Sequence, residues 1–540
     1  MPTTETPTSA LSITKVPFAK IPQFSARDVA YTTGDERLRP FYAHFPDYDS
    51  FERVMAERKK YPVDRSLLVT ELREQYATIG HHDRVQQQLT ALLDDTTFTV
   101  VTAHQPSLFT GPLYYVYKIV SAIKLARALN ERYPDYHVVP VFVSGGEDHD
   151  FEEVNHLQLF GRTITWQSGA SGAVGRMRTA SLRPVLEEVK EILGNGADAQ
   201  CIAEILERTH TQHEHYGTAA QALVHELFGR YGLVTLNMDS PRLKRAFAPI
   251  ISREIIEQPS QALVEQAQQR LEAAGFSGQA HAREINFFYL QEQSRERIVK
   301  EGDDYRVLNT ELRFDEAALH EEIEAHPERF SPNVVTRPLY QEAILPNLAY
   351  VGGGGELAYW LERRAQFAAF DLPFPLLVRR DSAVWIDKTA AKRMAKLGLT
   401  FDDLLEETEA LIKRFVRQHS DEELSFSAQK KAVAGAFEEM AALTKAVDPT
   451  LVKTVKSELA KTLNSVGQLE KRVLRAEKAK YDTAINQLRS VKDKLFPNNG
   501  LQERTDNFLA FYVRYGDAFI ETLLAHFDPL EPTVVVVEDK

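Results

Sequence analysis

The stretch "TFTVVTAHQPSLFTGPLYYVYKIVSAIKLARALNERYPDYHVVPVFVSGG", residues 97–146, decides the fold of this chain. Its first apolar run predicts a buried strand. Apolar residues at three- and four-residue steps between 111 and 133 then predict a helix, with Pro112 at its first position. A second apolar run leads into Gly145 and Gly146. Because strand, helix and strand at this spacing form a β-α-β unit, the sequence predicts a parallel sheet covered by helices.

The composition is that of a globular protein, with 43% hydrophobic and 26% charged residues in a chain of 540. Its formal net charge of -13 argues against a protein that coats nucleic acid or an acidic membrane. No run approaches the roughly 20 apolar residues that cross a bilayer. Residues 1–15 lack the pattern of a secretory signal and predict a disordered tail. The single cysteine, Cys201, excludes an internal disulfide and a cysteine-based zinc cluster, and we expect a cytoplasmic protein.

Strand and helix patterns continue to alternate as far as residue 390. Further buried strands are predicted within 232–240 and 374–382, so the α/β core is expected to span residues 16–390. The segments near 160–230 and 275–335 have helices and short strands of their own, and we predict that both are insertions in the core.

Residues 391–505 predict a helical coiled-coil domain. Apolar residues recur at steps of three and four from Val455 to Leu495, the pattern of a coiled-coil seam, which is weakest at 477–482. Residues 453–494 contain eleven basic and five acidic residues, a local charge of +6, which leaves -19 for the rest of the chain. The last segment, 506–540, predicts a helix and a strand at 533–537 that return to the core.

A crowd of acids and histidines follows the second predicted strand, in "VFVSGGEDHDFEEVNH", residues 141–156. Such charges form either a solvated turn or a catalytic group, since their mutual repulsion does not favour folding. Ligands of open α/β sheets bind beyond the carboxyl ends of the strands. We therefore expect Glu147, Asp148, His149 and Asp150 to be catalytic. Burial should raise the pKa of at least one carboxyl, and Asp148 and His149 are the first candidates for the base.

Asn155 and His156 end the same stretch and are expected to contact substrate hydroxyl groups. His149, Asp150 and His156 are acceptable metal ligands, but a separation of seven residues between the histidines is not a common ligand spacing. No metal site is therefore predicted.

A second candidate site lies in "AHQPSLFTGPLYYVYK", residues 103–118. A helix N-terminus that follows a strand presents free N–H groups to an anion, so Thr110 and Gly111 are expected to bind one, with Lys118 reaching the same ligand. His104 and Gln105, at the end of the strand, are predicted substrate contacts. The alternative is an ordinary turn in which Thr110 caps the helix.

A third candidate site lies in "LPNLAYVGGGGELAYWLERR", residues 345–364. Four consecutive glycines are costly in chain entropy, which favours a close approach of the backbone to a ligand. The loop matches neither the Walker A motif nor the dinucleotide fingerprint. The expected contacts are Gly352, Gly353, Gly354 and Gly355 for a cofactor, and Asn347, Tyr350 and Glu356 for the substrate.

Arg379 and Arg380 follow the late predicted strand in "VRRDSAVWID", residues 378–387. Adjacent arginines at a strand end suit the binding of a carboxylate or phosphate, and surface ion pairing is the alternative.

These motifs together resemble one family. "FTGPLYYVYK", "GEDHDFEEVNH", "LPNLAYVGGGGELAYW" and the helical "LEKRVLRAEKAKYDTAINQL", with "LFPNNGLQER" after it, occur in the order seen in BshC, the cysteine-adding enzymes of bacillithiol biosynthesis. The resemblance covers essentially the whole chain. Two departures concern the pocket: residues 352–355 are all glycine where the family often has a proline, and His104-Gln105 stands where paired glutamines are expected.

The resemblance implies a Rossmann-like parallel-sheet core with inserted connecting segments, and a C-terminal coiled-coil domain used for homodimerisation. It also implies a ligase that adds L-cysteine to glucosaminyl-malate by amide formation. Amide formation from a carboxylate is uphill in water, so activation by ATP or another nucleotide is expected. Glu147, Asp148 or His149 would take the proton of the amine. The arginine pair, Lys118 and the helix N-termini would hold the malate carboxylates, and the glycine loop could equally hold phosphates.

Two other interpretations stay open from the sequence. The chain could be a different adenylating or nucleotidyl-transferring enzyme whose +6 arm binds RNA, although lysine-rich helices are common and no nucleic-acid partner is expected. It could also be a non-enzymatic coiled-coil protein with a degenerate core, against which the intact acid–base residues argue.

Overall fold

The computed structural model describes residues 11–420 and 425–540, which form two compact units. The first unit extends to Val384 and resumes at Gly500–Val537, and the second consists of Trp385–Asn499 and Glu538–Lys540. None of the helices in these described ranges is long and apolar enough to cross a membrane.

A five-stranded parallel sheet forms the core of the first unit and confirms the predicted fold class. Its strands, in spatial order, are Leu376–Arg379, Asn347–Gly352, Thr97–His104, His137–Ser144 and Val234–Asn237. The strands are almost continuously buried, as expected for a parallel sheet covered on both faces.

The order of these strands reverses once, between Thr97–His104 and Asn347–Gly352. The chain first adds strands on one side of Thr97–His104 and later adds the other two on the opposite side. Connections on the two sides of this point leave in opposite directions and open a crevice at the carboxyl ends, where such sheets bind ligands.

The helix Tyr114–Arg132 connects the first two central strands. It begins at Tyr114 rather than near Pro112, because residues 108–110 form a separate 3-10 turn and Pro112 makes a β-bridge with Asn507. The other α-helices of this unit outside the first insertion are Ala26–Thr32, Tyr48–Arg58, Arg65–Ile79, Asp83–Ala91, Phe151–Val154, Pro241–Glu257, Pro259–Ala273, Glu316–Ala325, Arg337–Ile344, Gly354–Trp360, Arg364–Ala369, Leu509–Tyr515 and Ala518–His526.

Two long segments leave the central sheet at its carboxyl edge. The first contains the hairpin His156–Leu159 and Arg162–Thr165 and the helices Arg183–Leu193, Ala197–Thr211 and Tyr216–Phe228. The second contains an antiparallel sheet whose strands, in spatial order, are Arg313–Phe314, Asp304–Val307, Arg295–Glu301, Phe287–Leu290 and Phe330–Pro332. This second segment, which we call the inserted sheet, contributes to the site described below.

The start of the chain differs from the prediction of a tail over residues 1–15. Residues 1–10 lie outside the described residues, but Leu11–Pro17 is a strand. It neighbours the C-terminal strand Thr533–Asp539, which itself lies beside Ser382–Ile386. Composition could not indicate this strand, because its partner is more than 500 positions away in the sequence.

The second unit is helical and contains the coiled coil. Its helices are Lys388–Leu397, Thr408–His419, Ser427–Val447, Val452–Lys480 and Asp482–Leu495. The helices Ser427–Val447 and Val452–Lys480 pack against each other as a hairpin that turns at Pro449–Leu451. The long arm breaks at Tyr481, within the segment where the seam is weakest. Leu488 is buried within this unit, whereas Leu469 and Val473 on the hairpin are exposed.

Candidate active site

A cleft of about 980 Å³ lies at the carboxyl ends of the central strands. The acidic loop, the glycine loop and the inserted sheet all contribute to its walls. The predicted site residues that line it are His104, Gln105, Glu147, Asp148, His149, Asp150, Tyr350, Gly353, Gly355, Glu356 and Arg380. The predicted residues that do not line it are Thr110, Gly111, Lys118, Asn155, His156, Asn347, Gly352, Gly354 and Arg379.

Glu147 is buried in an ion pair with Lys244 of the helix Pro241–Glu257. The Lys244 ammonium also donates to the carbonyl of Phe330 at 2.7 Å, and the Ser331 hydroxyl donates to Glu147 Oε2 at 3.2 Å. Burial raises the pKa of Glu147, and Lys244 opposes the shift. The expectation that burial raises the pKa of at least one carboxyl of the loop is thus confirmed, but this carboxyl already has a cation partner.

Asp148 is held as an ionised hydrogen-bond acceptor. Gln105 donates to its Oδ2 at 2.6 Å, and the amide of His149 and the guanidinium of Arg295 donate to its Oδ1 at 2.8 and 3.3 Å. Burial by itself would raise the pKa of Asp148, but Arg295, Gln105 and the loop amides together hold it below its usual value. A carboxylate with a lowered pKa is a weaker proton acceptor, so the structure does not favour Asp148 as the base.

His149 and Asp150 also have hydrogen-bond partners within the protein. His149 Nδ1 lies 3.0 Å from a guanidinium nitrogen of Arg295, which comes from the inserted sheet and is 7% exposed. Asp150 caps the short helix Phe151–Val154 and accepts the amide of Glu153 at 3.3 Å. The sequence analysis did not identify Arg295, since nothing in a strand of mixed charge marks one arginine among several.

Glu153, like its neighbour Glu152, is a carboxylate of the cleft that the sequence analysis did not select. It lines the cleft, and no basic side chain pairs with it within residues 11–420 and 425–540. Burial raises its pKa, the charges of Asp150 and Asp148 add to the shift, and a hydrogen bond from Gln105 opposes it. A carboxyl with a raised pKa and no cation partner is a stronger proton acceptor than an ordinary carboxylate.

A buried ion pair between Lys118 and Glu356 lies beneath the cleft. Lys118 is fully buried, donates to Glu356 Oε1 at 2.8 Å and also contacts the carbonyl of Ala103. Glu356 further accepts the Tyr350 hydroxyl at 2.6 Å and the amide of Gly353 at 2.9 Å. Burial would raise the pKa of Glu356, but Lys118, Tyr350 and the amide lower it to about 2. Lys118 therefore neutralises Glu356 and is not available to a ligand.

The glycine loop serves internal packing more than ligand approach. A Cβ atom on Gly354 would lie 2.3 Å from the Asp28 carboxylate, and one on Gly352 would lie 2.9 Å from the Tyr350 ring. A Cβ atom on Gly355 would meet nothing within 4 Å. The amide of Gly353 is satisfied by Glu356. The expected phosphate-binding role of all four glycines is therefore not supported, because the chain's own carboxylates occupy the positions close to the backbone.

The two adjacent arginines face different surroundings. Arg379 donates to Asp28 at 2.9 Å, away from the cleft. Arg380 lines the cleft, but it donates to both carboxylate oxygens of Glu503 at 2.6 and 3.1 Å. Both guanidinium groups are already paired with carboxylates. The alternative of ion pairing therefore describes both arginines better than ligand binding does, although the pairs are buried and not at the surface.

Two other arginines supply positive charge to the cleft. Arg504 lines it, is exposed and lies 6.0 Å from the centroid of the Tyr114 ring, with no carboxylate partner among the described residues. Arg337 also lines it and donates to the amide oxygen of Gln341 at 3.2 Å. Arg504 ends the motif "LFPNNGLQER", which the sequence analysis used only for the resemblance.

The Thr110-Gly111 turn is closed by the C-terminal segment rather than open to an anion. The Asn507 side chain donates to the carbonyls of Phe109 and Gly111 at 3.0 and 2.6 Å. Thr110 is buried and does not cap the helix, whose first residue is four positions later. Neither role predicted for Thr110 is therefore supported.

Three further predicted contacts lie away from the cleft. Asn155 ends the short helix, and its side-chain oxygen lies 3.1 Å from Nδ1 of His156, which begins the next strand. Asn347 lies at the amino end of its strand, opposite the cleft, where it donates to Glu342 at 2.7 Å. No group of three or more His, Cys, Asp or Glu side chains in the described part of the chain is arranged to hold a metal ion.

His104 is buried at the end of its strand. Its Nδ1 donates to the carbonyl of Gln105 at 2.9 Å. Burial and the charge of Lys118 lower the pKa of His104 to about 4. The ring is therefore neutral at physiological pH.

We predict that Lys118→Met lowers the free energy of unfolding by about 3–5 kcal/mol, because it leaves the Glu356 carboxylate buried without its cation. Lys118→Met with Glu356→Gln should recover at least half of the loss. Urea denaturation measures both. The pKa of Glu356 falls from 4.5 to about 2 on folding, so its stabilising effect is complete above pH 4.5 and is lost as the pH falls toward 2. A loss below about 1 kcal/mol at pH 7 for the single variant would contradict the role of this pair.

We predict different effects for two neighbouring glycines. Gly354→Ala should destabilise the protein by about 1–3 kcal/mol, because the new methyl group displaces the Asp28 carboxylate from Arg379. Gly355→Ala should be neutral or slightly stabilising, since its methyl group enters open space at the start of a helix. Thermal unfolding distinguishes the two, and equal effects would mean that the Asp28 contact is unimportant.

Comparisons with known proteins identify the family. A family model described as "Bacillithiol biosynthesis BshC, N-terminal Rossmann-like domain" matches residues 11–381, and one described as "Bacillithiol biosynthesis BshC, C-terminal coiled-coil domain" matches residues 383–538. These matches confirm the predicted combination of a Rossmann-like core and a coiled-coil domain.

Several curated relatives bear the name "Putative cysteine ligase BshC". The relative from Christiangramia forsetii is 38% identical over 93% of this chain and 94% of its own length. The relative from Flavobacterium psychrophilum is 37% identical over 97% and 99%. The relative from Cytophaga hutchinsonii is 36% identical over 96% and 98%. The chain therefore belongs to the BshC family.

Proposed function

We propose that the protein is a cysteine ligase of bacillithiol biosynthesis, which joins the carboxylate of L-cysteine to the amine of glucosaminyl-malate. The observation that carries this proposal is the charge distribution of the cleft. One cavity of about 980 Å³ contains the acidic loop, residues 147–153, and the arginines Arg337 and Arg504. A substrate with an ammonium group and a dicarboxylate at its two ends matches such a cavity in charge. The names of the relatives support the same activity.

Arg504 and Arg337 are the groups that we propose to bind the malate carboxylates. Arg504 has no carboxylate partner in the described part of the chain, so its guanidinium is free to form a bidentate pair. Arg380 is nearby in the same cavity but is already neutralised by Glu503. Its contribution to an anionic ligand should therefore be smaller.

Glu153 is the proposed proton acceptor for the substrate amine. Glu147 is paired with Lys244 and Asp148 with Arg295, whereas Glu153 has a raised pKa and no basic partner among the described residues. The amine nitrogen attacks the activated carboxyl carbon of cysteine and a C–N bond forms. The bond from that carbon to the leaving oxygen breaks with its electron pair on the leaving group. Glu153 takes the proton that the ammonium loses before the attack, and the second proton of the nitrogen passes to the leaving oxygen.

ATP or another nucleoside triphosphate is the proposed cosubstrate, because activation of the cysteine carboxylate must supply a phosphoryl or adenylyl leaving group. The amide of Gly353 in the glycine loop is a poor site for its phosphates, since Glu356 already holds that amide and a bound phosphate would compete with that carboxylate.

A cytoplasmic homodimer that forms through the hairpin is also proposed. Leu443 and Val447 on one helix are 72% and 86% exposed, and Leu469 and Val473 on the other are 53% and 41% exposed. Apolar side chains at coiled-coil spacing gain stability when a second copy covers them. The alternative of an RNA-binding arm is not favoured, because the relatives carry a ligase name and basic residues such as Lys478 and Arg489 pair with Glu409.

Thiol profiling of a strain that lacks this gene tests the function. We expect bacillithiol to disappear and to return when the wild-type gene is supplied. Glu153→Gln should restore little, since a general base contributes about 10²–10⁴-fold to the rate. Glu187→Gln, which changes an exposed carboxylate outside the cleft, should restore normal levels. Normal bacillithiol without the gene would refute the proposed function, whereas equal restoration by both variants would refute only the role of Glu153.

Sedimentation tests the proposed dimer. Leu469→Asp with Val473→Asp should give monomers, because two charges would have to be buried in the interface. Lys471→Asp, an exposed change on the same helix, should leave the dimer intact. A dimer that persists in the double variant would show that another surface forms it.

A further inference from the structure

Arg295 occupies an unusual position for a cation, beside a histidine of the acidic loop. It is fixed by four contacts besides that histidine: it donates to the Ser331 hydroxyl at 2.9 Å, to the carbonyl of Pro332 at 3.0 Å and to Asp148 at 3.3 Å. Its guanidinium carbon also lies 4.0 Å from the centroid of the Phe288 ring. The guanidinium is therefore held in one orientation by the inserted sheet.

The contact with His149 determines where the imidazole proton lies. A guanidinium nitrogen of Arg295 lies 3.0 Å from Nδ1 of His149. A guanidinium has five N–H donors and no acceptor, so Nδ1 must accept with its lone pair. A neutral ring that accepts at Nδ1 has its proton on Nε2. A doubly protonated ring would place an N–H group against an N–H group and a cation against a cation.

We propose that Arg295 is a positioning residue that places the ring proton of His149 on Nε2, so that His149 donates a hydrogen bond to a substrate oxygen and does not act as a base. This inference rests on the proposed function for the identity of that oxygen, which belongs to the activated carboxyl group of cysteine or to its leaving group. Preorganised N–H donors of this kind stabilise the negative charge that develops on oxygen during acyl transfer.

The surroundings of His149 agree with a donor. Its side chain is 46% exposed and lines the cleft, and Nε2 has no hydrogen-bond partner among the described residues. The charged groups that face the ring are Arg295 from the inserted sheet and Asp148, at 3.6 Å from Nδ1, from its own loop. The Phe288 ring lies 5.5 Å away between centroids. Asp148 would attract a second proton to Nδ1, and Arg295 blocks that site.

Long-range ¹H–¹⁵N spectra of protein labelled with ¹⁵N-histidine test the proposal without an activity assay. The His149 signals are assigned by their loss in His149→Gln. We expect the wild-type protein at pH 8 to have the ring proton on Nε2 and an unprotonated Nδ1. In Arg295→Met, Nδ1 is released beside Asp148, and we expect a proton to bind at Nδ1. Arg297→Met, a change on the same strand outside the cleft, should leave the His149 signals unchanged.

The wild-type spectrum by itself decides the question if Arg295→Met does not fold. A proton on Nδ1 of the wild-type protein at pH 8 would overturn the proposal, and so would identical His149 signals in the wild type and a folded Arg295→Met variant. Bacillithiol levels in the deletion strain give a second readout: Arg295→Met should restore less than a tenth of the wild-type level and Arg297→Met all of it. Because the spectra are independent of turnover, failure of the proposed function would leave the assignment of the proton unaffected.

Discussion

The cleft depends on one buried ion pair. Lys118 lies on the helix after the strand Thr97–His104, and Glu356 lies on the helix after the neighbouring strand Asn347–Gly352. These two strands meet where the order of the sheet reverses, so the pair connects the two halves of the sheet. Glu356 also holds the Tyr350 hydroxyl and the glycine-loop amide. Because an unpaired buried charge is costly, the floor of the cleft can relax little without loss of stability.

The pairing of charges with partners from elsewhere in the fold also explains how several acids can follow one strand. Each buried acid of the loop has a donor from a distant part of the chain: Lys244 of a long helix pairs with Glu147, and Arg295 of the inserted sheet pairs with Asp148. These cations remove most of the mutual repulsion. The inserted sheet is thus part of the candidate active site, and Glu153 has a raised pKa and no cation partner in the described chain.

The pairing of its charged groups determines which parts of the cleft can bind a ligand. Groups that are fully paired, such as Arg380 with Glu503, maintain its shape. The groups with remaining capacity are Glu153 at the acidic loop and Arg504 at the C-terminal segment. The proposed chemistry at the cleft therefore uses residues from separate regions of the sequence. They come together because the carboxyl ends of the parallel strands lie at one edge of the sheet.

The sequence by itself determined the parallel sheet, its buried strands, the coiled coil and the position of the acidic loop at a strand end, because periodicity and local composition record which positions are buried. Only the tertiary structure decided which charged groups remain available. Asn347 begins a buried strand and therefore lies at the end of the strand that is opposite the cleft. Lys118 forms a buried ion pair with Glu356 and is not available to a ligand. Arg295 is 147 positions from Asp148. The protonation and pairing of a side chain depend on neighbours that only the folded chain brings within a few ångströms, and no local pattern encodes them.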